Sequence, residues 1–223
     1  MLRVISANLR LGRADADAFA AWVRHEGADV VAVQELGPRQ AEALAAVLPH
    51  GKLEPTADGL GMGVALLRPG DVGRLALPHR DARVARLCPD DWPELAAPVA
   101  IVNVHLAAPH TRVPRSWLDR RGQVKGLEAY LAASAGPRAL LGDFNATPAW
   151  PAYRRLAALF DDAARVVAER HGRAPAPTWG PHPRAPRLLR IDHVLVDALD
   201  VSDFRVVALA GSDHSAVVVD LAV

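Results

Sequence analysis

The scarcities of this chain exclude more than its abundances do. Cysteine is almost missing: Cys88 stands alone, so no intrachain disulfide can form. Lys52 and Lys125 are the only lysines, and every other cation is arginine. The formal net charge is only +1, so no global basic field is there to hold a long nucleic acid. Aromatic residues make up just 5%. No window is long and apolar enough to span a membrane. The start, Met1-Leu2-Arg3-Val4-Ile5-Ser6, enters a strand pattern without the basic end, apolar stretch and cleavage site of a signal peptide. A cytoplasmic location is therefore expected. Zinc is disfavoured too, because no pair among the nine histidines has structural-zinc spacing and His-Glu-x-x-His is absent.

What is present points to one α/β domain over 1–223. Apolar residues are 51% of 223, enough for a sizeable core. Leu2 to Asn8 reads as a strand, Ala14 to His25 as a helix stopped at Gly27, and Asp29 to Gln34 as a strongly apolar strand. Pro38 opens a helix to about Leu48. Gly61 to Leu67, Arg83 to Leu87 and Val99 to Leu106 are further strands. Ser116 to Ala133 is the longest predicted helix, with Trp117, Val124, Leu127 and Leu131 on one side. Ala139 to Asp143 is the central strand, and Trp150 to Phe160 a short helix. Residues 171–190 form a loop rich in Pro, Arg and His. Ile191 to Val196, Phe204 to Ala208 and Ala216 to Leu221 are the last strands.

The stretch Leu140-Leu141-Gly142-Asp143-Phe144-Asn145-Ala146-Thr147-Pro148 carries the first chemical signal. Asp143 and Asn145, one residue apart, leave an extended chain on the same face. A carboxylate and an amide then meet at a strand mouth, where α/β folds place ligands. Other polar groups also sit at the edges of apolar runs. They are Asn8, Gln34-Glu35, Asn103-Val104-His105-Leu106, Arg190-Ile191-Asp192-His193 and Ser212-Asp213-His214. Glu35 ends a buried strand, where a carboxylate is costly unless paired or coordinated. Oxygen ligands there suit Mg²⁺ or Mn²⁺ better than zinc. His214 is the leading acid/base residue, because imidazole titrates near neutrality.

In this order the six motifs resemble the endonuclease/exonuclease/phosphatase superfamily, from Asn8 to His214. The resemblance implies a four-layer α/β sandwich, two mixed β-sheets face to face with helices outside. It implies that Glu35 binds the divalent ion, that Asn8 lies beside it, and that Asp213 is a second carboxylate near the metal. It makes Asp192 the partner of His214, and His105 a ligand of the substrate phosphate or a leaving-group acid. Asp143 would orient or deprotonate the attacking water, with His214 as the other candidate base, and Asn145 would donate to phosphoryl oxygens. Abasic-site nucleases usually carry Tyr where this chain has His105, which leans the reading towards deoxyribonucleases, sphingomyelinases and phosphatases.

Substrate choice falls to two loops. Residues 107–115 and 171–190 bring Arg112, Arg115, Arg173, Arg184, Arg187 and Arg190 towards the mouth, with Trp179 able to stack on a ring. Arg112, Trp179, Arg187 and Arg190 are the expected substrate contacts. His110 is a weaker one. The expected activity is Mg²⁺- or Mn²⁺-dependent hydrolysis of a compact phosphoester by a monomer. A nuclease on DNA or RNA is the alternative, and a catalytically silent binding module of the same fold a further one.

Overall fold

The computed structural model describes residues 1–109 and 114–222. His110 and Arg112 lie outside the described residues. The chain opens with β1 (Leu2–Asn8), α1 (Ala16–Glu26), β2 (Val30–Leu36), α2 (Pro38–Ala45), β3 (His50–Glu54) and β4 (Gly61–Leu66). Next come β5 (Asp71–Leu75), β6 (Ala82–Leu87), β7 (Val99–His105), α3 (Pro114–Ala133) and β8 (Arg138–Asp143). The last part holds α4 (Pro151–Ala157), β9 (Asp161–Asp162), α5 (Ala163–Arg170), β10 (Asp192–Asp197), β11 (Asp200–Ala208) and β12 (Ser215–Ala222).

The strands form two mixed six-stranded sheets, ordered β11-β12-β1-β2-β4-β3 and β5-β6-β7-β8-β10-β9. Each sheet has one parallel pair joined through a helix: β1-α1-β2 in the first, β7-α3-β8 in the second. A parallel pair needs such a crossover, and the crossover covers one face of its sheet. The runs Val30-Val31-Ala32-Val33 and Ala139-Leu140-Leu141 are apolar on both faces for that reason. Val30, Ala32, Ala139 and Leu141 point between the sheets, with Leu2, Val4, Ile101 and Val194. Val31 and Val33 point out against Phe19, Val23 and Leu44 of α1 and α2. Val102, Val104 and Leu140 point out against Val124, Leu127 and Leu131 of α3 and Leu156 of α4. The result is a four-layer α/β sandwich. Among the described residues, no helix is long and apolar enough to cross a membrane.

Several elements depart from the sequence reading. β3 and β5 were not expected; both are mostly exposed sheet-edge strands with little apolar alternation to reveal them. α5 was also not expected, although Asp162 caps it by accepting from Ala164 N at 3.0 Å. The helix expected to reach Phe160 ends at Ala157. Trp117, grouped with Val124, Leu127 and Leu131 on one side of α3, is 42% exposed while those three are buried.

Candidate active site

Pleating alone decides which residues reach the mouth. On β1 the inward positions run Val4, Ser6, Asn8; on β2 Ala32, Gln34; on β7 Ile101, Asn103, His105; on β8 Leu141, Asp143; on β10 Val194, Asp192. Each inner face therefore starts apolar and turns polar towards one end of the sandwich. A layer of amides marks the change. Gln34 Nε2 donates to Ser6 Oγ at 3.2 Å and to Asn103 Oδ1 at 2.7 Å. Asn103 Nδ2 reaches from the second sheet to Val33 O at 3.0 Å and Gly63 O at 2.9 Å in the first. The two sheets are thus hydrogen-bonded to each other directly beneath the site.

Glu35 leaves this pattern through a bulge. The β2–β4 pairing shifts between Gln34 and Leu36, and Glu35 takes a left-handed φ of 54°. Such a conformation is strained for glutamate and re-aims its side chain. The carboxylate accepts from Leu11 N at 2.7 Å and from Asn8 Nδ2 at 3.3 Å. Asn8 Nδ2 also donates to Asp143 Oδ2 at 3.0 Å, while Asn8 Oδ1 accepts from Arg10 N at 2.9 Å. Asn8 was expected beside the metal held by Glu35. Here its amide nitrogen faces the two carboxylates and gathers them. Asp213, the other expected carboxylate, faces Arg10 Nε at 3.6 Å and joins none of these contacts.

Asp143 ends β8 and is buried. Gly142 before it has φ 131°, and a Cβ there would collide with the Val104 carbonyl, so β7 and β8 approach closely only with glycine. Asn145 does not share a pleat face with Asp143, as extended geometry had implied. It adopts φ 47°, and its backbone N–H donates to Asp143 Oδ1 at 2.7 Å. Its Nδ2 folds back to Asp143 Oδ2 at 3.3 Å and Leu106 O at 3.0 Å. Burial raises the Asp143 carboxyl to about 7, against the pull of His214.

His214 Nδ1 lies 3.1 and 3.0 Å from the two oxygens of Asp192. Burial alone would lower this imidazole, but Asp192 and Asp143 together push it up to about 10. Its Nε2 faces Asp143 Oδ2 at 3.8 Å, too far for a direct hydrogen bond. Asp143, Asp192 and His214 each bring a ligand-type atom within 4.8 Å of the others. In the Asp192–His214 contact Nδ1 donates to the carboxylate.

His105 is buried, with Nε2 3.4 Å from Asp143 Oδ2 and 3.8 Å from Glu35 Oε1. Its Nδ1 is met by the guanidinium of Arg80. Arginine cannot accept, so Nδ1 must, and the ring proton sits on Nε2 facing the carboxylates. Burial and then Arg80 hold this imidazole well below its usual range. Arg80 was not anticipated; it stands in the Pro78-His79-Arg80-Asp81 turn, which has no periodicity to mark it.

The expected substrate contacts part company. Arg112 is outside the described residues. Arg190 is buried and paired with Asp162 at 2.8 Å, so its donors are withdrawn from the mouth. Arg187 donates to Ser215 Oγ at 3.0 Å, Ser212 O at 3.0 Å and His214 O at 3.2 Å, clasping the turn that carries His214. Trp179 is half-buried and bridges by its backbone to Leu189 and His214. Thr178 Oγ1, also unanticipated, accepts from Asp192 N at 3.1 Å. Arg115 does reach the mouth. It lines a cleft of about 540 Å³ with Glu35, Arg80, His105, Leu60 and Asp119.

Similarity to known proteins agrees with this geometry. Among solved structures, an AP endonuclease from Archaeoglobus fulgidus is 16% identical, with TM-score 0.77 and 100% of both chains covered. A 3′ phosphatase from Neisseria, bound to product DNA hairpin, is 20% identical, with TM-score 0.74 and 99% of both chains covered. A mannosyl-6-phosphatase from Bacteroides thetaiotaomicron is 17% identical, with TM-score 0.68 and 99% of both chains covered. At these identities the likeness is one of fold. No curated protein matches the sequence. The family model of the Endonuclease/Exonuclease/phosphatase family matches residues 5–214, nearly the whole chain, and this protein belongs to that family.

Proposed function

We propose that this protein is a divalent-metal-dependent phosphoester hydrolase acting on a compact substrate. One observation carries the reading: Asp143 Oδ2 is approached by Asn8 Nδ2 at 3.0 Å, His105 Nε2 at 3.4 Å and His214 Nε2 at 3.8 Å. With Asn145 Nδ2 at 3.3 Å, four donors from separate parts of the chain thus converge on one carboxylate oxygen beside an open cleft. A reacting water and a phosphoryl oxygen fit such a gap, because the donors are already aimed where negative charge develops.

The donor set fits a hard cation. Glu35 and Asp143 bring two carboxylates to the same amide of Asn8, and burial raises the Asp143 carboxyl, an environment a cation would relieve. Glu35 would hold Mg²⁺ or Mn²⁺, with Asn8 steadying the carboxylate. The ion's chemistry is Lewis-acid stabilisation of a phosphoryl oxygen.

The residues themselves divide the remaining work. His214, pushed up by two carboxylates, is an imidazolium at neutral pH and donates from Nε2. Asp143, raised to about 7 and so ionised only in part at neutral pH, accepts from the attacking water in its ionised form, with His214 as the donor beside it. His105, neutral with its proton on Nε2, donates to a phosphoryl oxygen; the leaving-group acid role does not suit it. Asp192 holds the His214 ring, and Asn145 holds Asp143. The cleft of about 540 Å³ suits a small ester.

The decisive assay is turnover of bis(p-nitrophenyl) phosphate with and without chelator, in wild type and Glu35→Gln. Wild type should lose activity in EDTA and regain it with Mg²⁺ or Mn²⁺. Glu35→Gln should lose about 10²-fold or more in kcat while its fold survives. Full activity of either protein in saturating chelator rejects the metal reading. Efficient nicking of supercoiled plasmid, with no turnover of any small ester, would instead select the nuclease alternative.

A further inference from the structure

The phosphoester chemistry leaves unused two indoles between α3 and α4, which line a cavity separate from the cleft of Glu35 and His105. β7 and β8 are parallel, so both end at the same edge of their sheet, and the helices that follow them begin on the rim of the site. Trp117 lies in the first turn of α3, and Trp150 immediately precedes α4. Their rings stack with centroids 6.1 Å apart and planes inclined by 11°. A shallow cavity of about 260 Å³ opens beside them, lined also by Arg121, Val124 and Arg155.

Arg120 ties this shelf to the reacting groups. Its guanidinium sits 5.7 Å from the Trp150 ring centre. It donates to Ala107 O at 2.7 Å, Phe144 O at 3.0 Å and Asn145 O at 3.1 Å. One buried side chain therefore joins Trp150, on which Trp117 stacks, to the loops that follow His105 and Asp143. Packing of α3 against α4 accounts for the half-buried Trp150. It does not account for Trp117, which stays 42% exposed.

We propose that the Trp117–Trp150 shelf is a nucleobase subsite, so that the compact phosphoester carries a planar base. This rests on the phosphoesterase reading above. An exposed indole face stacks on a base without reading its sequence. The surroundings match a phosphate-bearing ligand: Arg155 is neutralised by Glu128, but Arg121 is exposed and has no ion pair among the described residues. The cavity is of the size of a ring, which fits a nucleotide or a strand end.

The test uses the full chain. Kinetics are compared for a thymidine dinucleotide, the same backbone with one base deleted, thymidine 5′-monophosphate and ribose 5-phosphate. Deleting the base should raise KM about tenfold with kcat little changed. Trp117→Ala should erase that dependence, and Trp117→Phe should keep it. Equal KM with and without the base, or a base preference intact in Trp117→Ala, overturns the proposal. Sugar phosphates bound as tightly as nucleotides also overturn it, in favour of a sugar shelf. Indole fluorescence is read in parallel, because it does not depend on turnover. Quenching by thymidine 5′-monophosphate, kept in Trp22→Phe and lost in Trp117→Ala, supports the subsite even if no ester is hydrolysed. Absence of that quenching in wild type overturns it.

Discussion

Asp192 and His193 are neighbours on β10, and they serve two histidine environments on opposite faces of one sheet. On the inner face, His214 is buried against Asp192 and Asp143 and is pushed up to about 10. On the outer face, His193 is buried between Phe144 and Tyr153, with ring centres 5.0 and 4.6 Å away. Burial, then the cation Arg190, lower it to about 4. Its Nδ1 accepts from Arg190 at 3.2 Å and its Nε2 donates to Ala146 O at 2.8 Å. Burial is nearly equal in the two places, so burial alone does not decide protonation. The sign of the charged neighbour does. The inner histidine is placed to carry charge, and the outer one to stay neutral and pack beneath the loop that follows Asp143.

The largest effect should come from breaking the inner pair. Asp192→Asn keeps shape but removes the carboxylate that supports the imidazolium, so kcat should fall about 10²–10⁴-fold. The thermal midpoint should fall as well, because the carboxylate that raises the imidazole also contributes stability at neutral pH, so kcat is read well below the variant's midpoint. A kcat within twofold of wild type would remove His214 from the mechanism.

Breaking the outer cluster should act on stability instead. Arg190 holds Asp162 through two contacts, at 3.1 and 2.8 Å, and Tyr153 bonds the same carboxylate. Burial would raise the Asp162 carboxyl, but Arg190 keeps it below its usual range. Arg190→Met leaves that carboxylate buried and unpaired, which should cost about 3–5 kcal/mol by denaturant unfolding. Adding Asp162→Leu should restore part of the loss, because the unpaired charge then disappears. No recovery in the double variant would mean that Arg190 acts by packing on Tyr153, 5.7 Å away, more than by charge.

Acid should separate the same two environments. His193 has a folded value near 4, below its ordinary 6.5, so the unfolded chain binds the extra proton between those limits. The contribution is fully present above pH 6.5 and is lost progressively as pH falls towards 4. A shift of this size corresponds to about 3 kcal/mol. Urea unfolding from pH 7 to pH 4 should show the loss in wild type and a flatter profile in His193→Gln. Identical profiles would remove His193 as the source.

How far this was legible beforehand follows the same division of faces. Asn8, Glu35, His105, Asp143, Asp192 and His214 each sit at one end of an apolar run, and period-two alternation is enough to send most of them between the sheets. The order of those short motifs carried the family. What could not be read were residues whose role depends on a partner distant in sequence. Arg80 reaches His105 from a turn, and Arg120 reaches Asn145 from within a helix; neither has a spacing that distinguishes it from a surface arginine. Arg190 misled for the same reason, since its partner Asp162 is 28 positions away. Nor does alternation foresee a bulge, so Glu35 looked like an ordinary strand end although its backbone is left-handed.

Arg187 gives the smallest and sharpest of these tests. The sequence placed it among substrate contacts, which predicts a raised KM with kcat preserved. The structure has its guanidinium joined to Ser212 O, His214 O and Ser215 Oγ, on both sides of His214. The fork closes the turn that aims the imidazole, with Nε and Nη2 already engaged there. Loosening that turn should misplace Nε2 relative to Asp143, from which it now lies 3.8 Å. Arg187→Ala should therefore lower kcat about tenfold and leave KM nearly unchanged, because the lost interaction counts mainly in the transition state. Arg187→Lys should not rescue it, since an ammonium cannot span three oxygens with a planar fork. The pH profile should also shift if the Asp192–His214 contact loosens with the turn. A raised KM with full kcat in both variants would return Arg187 to the substrate.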